Sequence, residues 1–242
     1  MESVLTQRLK KIRELLYNSE HAVFFGGAGV STDSGIPDFR GTNGMYRQDE
    51  SYEYLLSRTC LDKEPQKFYD FYINKMIFAD ARPNKTHLAL AQLEEIGVLK
   101  AVITQNIDGL HEMAGSRNVI ELHGTENRNY CMRCKRVYNR DYIEKSNGIP
   151  LCEDCGGIVR PDVTLYEEPL PADAFYTAAE HIAKADVLIA GGSSLTVFPA
   201  AGFVADFTGK HLIIVNLSPT PYDGNAEFVI RQPLSEFFSY MI

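Results

Sequence analysis

No stretch of this 242-residue sequence approaches the roughly 18 consecutive apolar residues that a membrane-spanning helix needs. Its first residues lack a continuous apolar core of the signal-peptide kind as well. Leu5, Leu9, Ile12 and Leu16 recur instead at helical spacing, with Lys and Arg between them. An amphipathic surface helix is expected there, in a cytoplasmic protein with no membrane partner. Basic residues are in deficit: 24 Lys and Arg stand against 32 Asp and Glu, a net charge of −8. Coating nucleic acid requires clustered cations, so nucleic acid is not expected as a partner. Basic peptides would be tolerated. Cysteine is sparse at five, and four of the five fall in two tight pairs. In an unexported protein that pattern favours a metal over disulfides, leaving Cys60 as a free, half-buried thiol. Internal repeats, low-complexity tracts and a Ser/His/Asp nucleophilic set are not evident.

What is present is a sequence able to bury a core, with 45% hydrophobic and 23% charged residues. Short runs rich in Val, Ile and Phe occupy residues 22–25, 101–104, 119–122, 187–190 and 212–215. Helical patterns lie between them, such as 86–96 with Gly97 at the stop position, and a last one at 234–240. Near-continuous apolar strands alternating with helices predict an α/β fold, a parallel sheet covered on both faces. Two stretches break the rhythm: residues 42–82, rich in Tyr and Phe, and residues 125–165, which hold the cysteine pairs. They are expected to form a small module, helical in the first stretch and metal-binding in the second, beside a sheet built from about 1–41, 83–124 and 166–242 within one 242-residue domain.

The residues after each strand carry the chemistry. Gly26-Gly27-Ala28-Gly29 follows the first, Gln105-Asn106-Ile107-Asp108 the second and His123-Gly124 the third; Gly191-Gly192-Ser193-Ser194 and Asn216 follow the last two. Ligands of open parallel sheets bind beyond the carboxyl ends of the strands, and here five ends deliver glycines and small polar groups. The glycine stretch begins like a dinucleotide fingerprint but lacks the third glycine. It continues Asp33-Ser34-Gly35-Ile36-Pro37-Asp38-Phe39-Arg40-Gly41, a loop from which Phe39 and Arg40 would project. No acidic ribose-binding residue appears at the usual place, and Asn216 is the candidate substitute. A dinucleotide bound in an unorthodox way is expected, against the plainer reading of a tight structural turn.

Cys131-x-x-Cys134 and Cys152-x-x-Cys155 are separated by 17 residues, a spacing that fits a four-thiolate structural zinc site. Redox dithiols are a weaker reading, since neither pair opens a helix after a strand. A nucleic-acid-binding ribbon is weaker too, because Asp141, Glu144, Glu153 and Asp154 offset Lys135, Arg136 and Arg140.

Taken together these motifs resemble the sirtuins, NAD-dependent protein-lysine deacylases. The resemblance rests on Gly27-Ala28-Gly29-Val30-Ser31, on residues 35–40, on Thr104 through His111, on Glu121-Leu122-His123-Gly124 and on the cysteine quartet. Gly192-Ser193-Ser194-Leu195, Pro199-Ala200 and Asn216 continue it in the family's order. It implies a Rossmann-like large domain, a small zinc-bearing domain, and a cleft between them for NAD+ and an acetylated lysine in a protein or peptide. By that resemblance His123 is the general base, Asn106 positions the nicotinamide-side ribose, and Asp108 with Ile107 holds the carboxamide. Ala28, Gly29, Thr32, Phe39, Arg40 and Gln105 are implied as further cofactor contacts. Gly192, Ser193, Ser194, Asn216, Leu217 and Gln232 should reach the phosphates and adenosine. Phe39, Ile107, Val163, Thr164, Leu165 and Tyr166 are implied to meet the acyl-lysine peptide. The implied reaction yields nicotinamide, free lysine and O-acetyl-ADP-ribose, from a monomer with NAD+ as co-substrate and Zn2+ as structural ion.

Three departures stand out. Many relatives have an aromatic-Gly-Glu tail where this sequence has Tyr166-Glu167-Glu168, Thr164 stands where Val is common, and Gln232-Pro233 replaces a polar or acidic turn. The branch favouring succinyl and malonyl groups uses Tyr-x-x-Arg on a helix of the small domain. The comparable Phe68-Tyr69-Asp70-Phe71-Tyr72 has no arginine at that step, which predicts acetyl or longer neutral acyl groups. ADP-ribosyl transfer, dehydrogenation and a non-enzymatic NAD+-binding scaffold are the competing functions.

Overall fold

The computed structural model describes residues 3–38 and 51–242. Phe39 and Arg40 therefore lie outside the described residues.

Helix α1 (Val4–Tyr17) starts where the Ser3 hydroxyl accepts a hydrogen bond from the Thr6 amide, and it buries Leu9, Ile12 and Leu16. Strand β1 (Ala22–Gly26) follows and is buried throughout. The aromatic-rich stretch forms α2 (Tyr52–Leu55), α3 (Arg58–Lys63) and α4 (Pro65–Lys75). Then come α5 (Lys85–Glu95), β2 (Leu99–Thr104), α6 (Leu110–Met113) and β3 (Val119–Glu121). The cysteine-bearing stretch contributes β4 (Gly124–Cys131), β5 (Val137–Asn139), α7 (Arg140–Glu144) and β6 (Val159–Val163). The chain finishes with α8 (Ala172–Lys184), β7 (Val187–Gly191), α9 (Gly202–Ala205), β8 (His211–Val215), β9 (Phe228–Ile230) and α10 (Leu234–Met241).

Six strands form a sheet in the order β3-β2-β1-β7-β8-β9, and every pairing is parallel. The strand order reverses between β1 and β7, which is where open α/β sheets take their ligands. Alternate residues of one strand feed opposite faces: Ala22 and Phe24 join the core under α1, α5 and α10, while Val23 and Phe25 join the core under α8 and α9. Burial on both faces is why these strands read as continuous apolar runs.

A second, antiparallel sheet, β5-β4-β6, packs with α2–α4 and α7 around a third core. Phe68, Tyr69, Phe71 and Tyr72 of α4 supply its aromatic mass. Cys60 belongs to this core at 0% exposure, so it is fully buried rather than half-buried as its isolation in the sequence suggests. The Tyr69 hydroxyl donates to the Val159 carbonyl at 2.7 Å, fixing α4 onto β6.

Candidate active site

A cleft of about 860 Å³ opens beyond the carboxyl ends of the parallel strands, between the large sheet and the third core. The loop after β1 forms one wall. It runs through two short 3-10 turns, 28–30 and 32–34, instead of a long helix, and Gly35 closes the second at φ +86°. The glycines serve a close approach of two backbones. A Cβ on Gly29 would lie 2.8 Å from the Gly192 Cα, and one on Gly27 would lie 2.9 Å from the Ser193 Cβ. The Gly29 amide donates to the Gly192 carbonyl at 2.8 Å. Ala28, Gly29 and Thr32 face the cleft on this wall, and Gly192, Ser193 and Ser194 face it from the loop after β7.

The loop after β2 forms the centre. Its turn is set by Thr104, whose hydroxyl accepts from the Asn106 amide at 3.0 Å. The Asn106 side-chain amide donates to the Ser31 hydroxyl at 3.1 Å, and Ser31 donates to the Asp108 carboxylate at 2.6 Å. One relay thus orients both polar groups. The other carboxylate oxygen of Asp108 accepts from the Leu110 amide at 3.0 Å, which anchors it to the start of α6. Gln105 reaches across to the β7 loop, donating to the Ser193 hydroxyl at 3.2 Å. Ser31, buried and central, was not singled out from the sequence as a site residue, although it closes the Gly-Ala-Gly-Val-Ser motif.

His123, in the turn between β3 and β4, places its Nδ1 2.9 Å from the Gln105 backbone carbonyl. A carbonyl only accepts, so Nδ1 carries the proton and Nε2 keeps its lone pair. Burial lowers the imidazole pKa, and the Gln105 carbonyl pulls the other way. The ring is therefore a neutral base at pH 7.

The remaining wall is the end of β6 and the segment that follows it. Val163, Thr164, Leu165 and Tyr166 face the cleft, as does Ile107 opposite. The Thr164 amide donates to the His123 carbonyl at 2.8 Å, and Tyr166 pairs with residues 56–58 through its amide and carbonyl, each at 3.1 Å. The Glu168 amide donates to the Leu165 carbonyl at 3.1 Å, closing a β-turn with Glu167 at its third position. Glu167 takes φ +75°, so the missing glycine is replaced by a left-handed glutamate and the turn is kept. Glu168 is braced by Arg160, whose Nη1 and Nη2 donate to it at 2.6 and 2.9 Å. Burial alone would raise the Glu168 pKa, but these bonds hold it below the ordinary value.

Tyr72, Met76, Phe78 and Glu126 also line the cleft, none of them proposed from the sequence as site residues. Glu126 is buried against Arg140 at 2.9 Å; burial pushes its pKa up to about 7 while Arg140 pulls it down. At the far end Asn216, Leu217 and Gln232 also face the cleft. The Asn216 amide donates to the Ser218 carbonyl at 2.8 Å, and Leu217 is 66% exposed. The Gln232 Oε1 is buried and has no partner among the described residues.

The four cysteines converge elsewhere. Their sulfurs all lie within 4.8 Å of one another, with Cys131–Cys155 and Cys134–Cys152 each at 3.5 Å and no disulfide. Sulfurs on a tetrahedron around Zn2+ stand about 3.8 Å apart, so the quartet fits a four-thiolate zinc ion. The Tyr138 hydroxyl at 3.1 Å from the Cys152 Sγ and the Arg133 amide at 3.4 Å from the Cys131 Sγ support the set. No cysteine lines the cleft, so the site is structural.

The Sir2 family model matches residues 27–199 of this sequence. The chain belongs to the Sir2 family. The NAD-dependent protein deacetylase of Clostridium perfringens is 48% identical over 98% of this chain and 100% of its own length. That of Clostridium acetobutylicum is 47% identical over 99% and 100%. Among solved structures, the complex "Sir2-p53 peptide-NAD+" superposes with a TM-score of 0.87 at 39% identity, covering 96% of this chain and 95% of that one. A Sir2 variant bound to a deacetylated p53 peptide and 3'-O-acetyl ADP ribose gives a TM-score of 0.88 at 40% identity, covering 96% of each chain. In this Sir2 chain, no helix of the described residues is long and apolar enough to cross a membrane.

Proposed function

We propose that this chain removes acetyl groups from protein lysine side chains with consumption of NAD+, giving nicotinamide, O-acetyl-ADP-ribose and free lysine. NAD+ supplies an electrophilic ribose carbon, a leaving nicotinamide and the hydroxyl that receives the acetyl group. The observation that carries the reading is the neutral imidazole of His123, held by the Gln105 carbonyl in the cleft that also contains Asn106 and Asp108.

The acyl oxygen of the substrate bonds to the ribose carbon as nicotinamide leaves. His123 Nε2 then takes the proton of a ribose hydroxyl, which attacks the acyl carbon, and addition of one water expels the lysine amine and leaves the acetyl ester. The Asn106–Ser31–Asp108 relay fixes the amide beside the ribose and the carboxylate that meets the nicotinamide carboxamide. Gly29, Gly192 and Ser193 hold the pyrophosphate wall, where small side chains admit close backbone contact. Ser194, Asn216, Leu217 and Gln232 serve the adenosine end, and Ala28, Thr32, Phe39 and Arg40 complete the cofactor site. Val163, Thr164, Leu165 and Tyr166 take the peptide as an added strand, with Ile107 and Phe39 against the acyl chain. Breaking the glycosidic bond develops charge in a walled pocket, where preorganised dipoles act strongly. We read the chain as a cytoplasmic monomer, with its zinc-bearing module formed by about 42–82 and 125–165.

The test is incubation of the protein with NAD+ and a synthetic acetyl-lysine peptide, following products by mass spectrometry. Nicotinamide, deacetylated peptide and O-acetyl-ADP-ribose should appear in equal amounts. Free acetate in place of the ester product, or deacetylation without NAD+, would refute the reading.

A further inference from the structure

The turn at residues 165–168 sets a question that the reaction itself leaves open. A glutamate in left-handed backbone is disfavoured by contact of its Cβ with the following carbonyl, and glycine would take the position without that penalty. Glu167 nevertheless sits there at φ +75°. Its carboxylate explains the choice. Oε2 accepts from the Thr59 amide at 2.9 Å and from the Thr59 hydroxyl at 2.7 Å. The Thr59 amide belongs to the first turn of α3, where amides lack intrahelical partners. Both bonds are charge-assisted, and a glycine could make neither.

The location gives these bonds their meaning. Glu167 is separated by one residue from Leu165 and follows Tyr166, both of which face the cleft, and it borders the cleft itself. The segment has other fastenings: Thr164 to the His123 carbonyl, Tyr166 to Leu56 and Arg58, the Val163 carbonyl to Arg160, and Glu168 to both Arg160 and Arg58. Those fasten the two ends and the middle of the segment. The Glu167–Thr59 contact ties the crest of the turn, through a side chain, to α3 of the third core, beside the tie that the Arg58 guanidinium of the same helix makes to Glu168 at 3.3 Å.

We infer that Glu167 is a positioning residue for the acyl-lysine peptide: its carboxylate clasps α3 through Thr59 and holds the turn so that residues 163–166 present a fixed edge to the incoming strand. The inference rests on the reading that this segment receives the peptide. It assigns the residue no part in NAD+ binding or bond breaking. Peptide recognition by this chain is thereby made dependent on the seating of α3, a helix that does not line the NAD+ walls.

The test separates positioning from folding. Steady-state kinetics with a synthetic acetyl-lysine peptide and NAD+ would be measured for the wild type and for Glu167→Ala, Glu167→Gly and Glu167→Gln, alongside melting temperatures. Alanine keeps the left-handed penalty and loses the clasp; glycine loses both. The peptide KM should rise about tenfold in the alanine and glycine variants, the scale of a lost charge-assisted hydrogen bond. The KM for NAD+ and the kcat should move less than about twofold in the same comparison. Glutamine, which still offers an oxygen to Thr59, should restore most of the peptide affinity. Glycine should also melt at a higher temperature than alanine. A folding effect alone would make KM follow melting temperature, so a glycine variant with wild-type peptide KM overturns the inference. Absence of NAD-dependent deacetylation in the wild type would instead strike the proposed function.

Discussion

The imidazole of His123 and the backbone carbonyl of Gln105 are joined at 2.9 Å, so that the strand-end loop carrying Asn106 and Asp108 also sets the tautomer of the ring. The same loop therefore arranges base, amide and carboxylate together. Replacing Gln105 would leave this contact in place, because the acceptor is main chain.

His123→Ala should lower formation of O-acetyl-ADP-ribose by roughly 10²–10⁴-fold, the usual worth of a positioned base. Exchange of labelled nicotinamide into NAD+, which needs no proton acceptor, should survive. The sign of the pH dependence follows from the lowered pKa of the ring. The base acts when neutral, so kcat rises with pH through a limb below the ordinary histidine value of 6.5 and is flat above it. A limb centred above that value would remove His123 from the base role.

Chelation should inactivate only by unfolding. Stripping zinc leaves four thiols crowded within 4.8 Å at the end of β4, and metal binding at such a site is coupled to folding. Treatment with a strong chelator, or Cys152→Ser, should abolish near-ultraviolet circular dichroism and activity in parallel. Activity lost while the dichroism stays intact would make the metal a direct participant.

A succinyl-lysine peptide should turn over at least about tenfold more slowly than its acetyl counterpart, since its free carboxylate would be stranded in the apolar part of the cleft. Two lining carboxylates already engage the guanidiniums behind them, Glu126 that of Arg140 and Glu168 that of Arg160. Butyryl-lysine, uncharged, should be accepted. Equal rates for succinyl and acetyl peptides would contradict this.

The pair His87 and His111 should govern acid stability. The rings meet at 4.7 Å, both are buried, and His87 Nε2 and both nitrogens of His111 find no partner among the described residues. Burial pushes the pKa down to about 4 for His87 and about 3 for His111. The unfolded chain takes up these protons near pH 6.5 while the fold resists them, so stability is full above that pH and declines as the pH falls. His111→Phe removes one such group and two unpartnered nitrogens. Its melting temperature relative to wild type should rise progressively from pH 7 to pH 5. A difference independent of pH would show that the ring is not titrating.

Much of this was legible in the sequence, for identifiable reasons. Strands such as 22–26 and 187–191 are buried on both faces and so spell themselves out as apolar runs. The residues after them are glycines and short polar groups because two loops touch there. Strand β9, Phe228–Ile230, was not anticipated: its apolar run is three residues long and is flanked by the polar Glu227 and Arg231. Strand β4 was hidden by its polar composition, Thr125, Glu126, Asn127, Arg128 and Asn129. Tyr72 and Glu126 reach the cleft only through tertiary packing, which no local pattern encodes. Glu167 is the clearest case: the sequence showed a glycine missing, and only the structure shows Thr59 standing in compensation.

The core that contains Phe68 and Val159 shares no member with the two cores on the faces of the large sheet. It is also assembled from two stretches of chain that the sheet interrupts. An occupant touching Ser193 on one bank of the intervening channel and Val163 on the other would fasten the unit built on the large sheet to the unit built on the third core. If peptide and nucleotide occupy the two banks together, each should steepen the other's hold, a reciprocal synergy in affinity for which neither molecule need change shape.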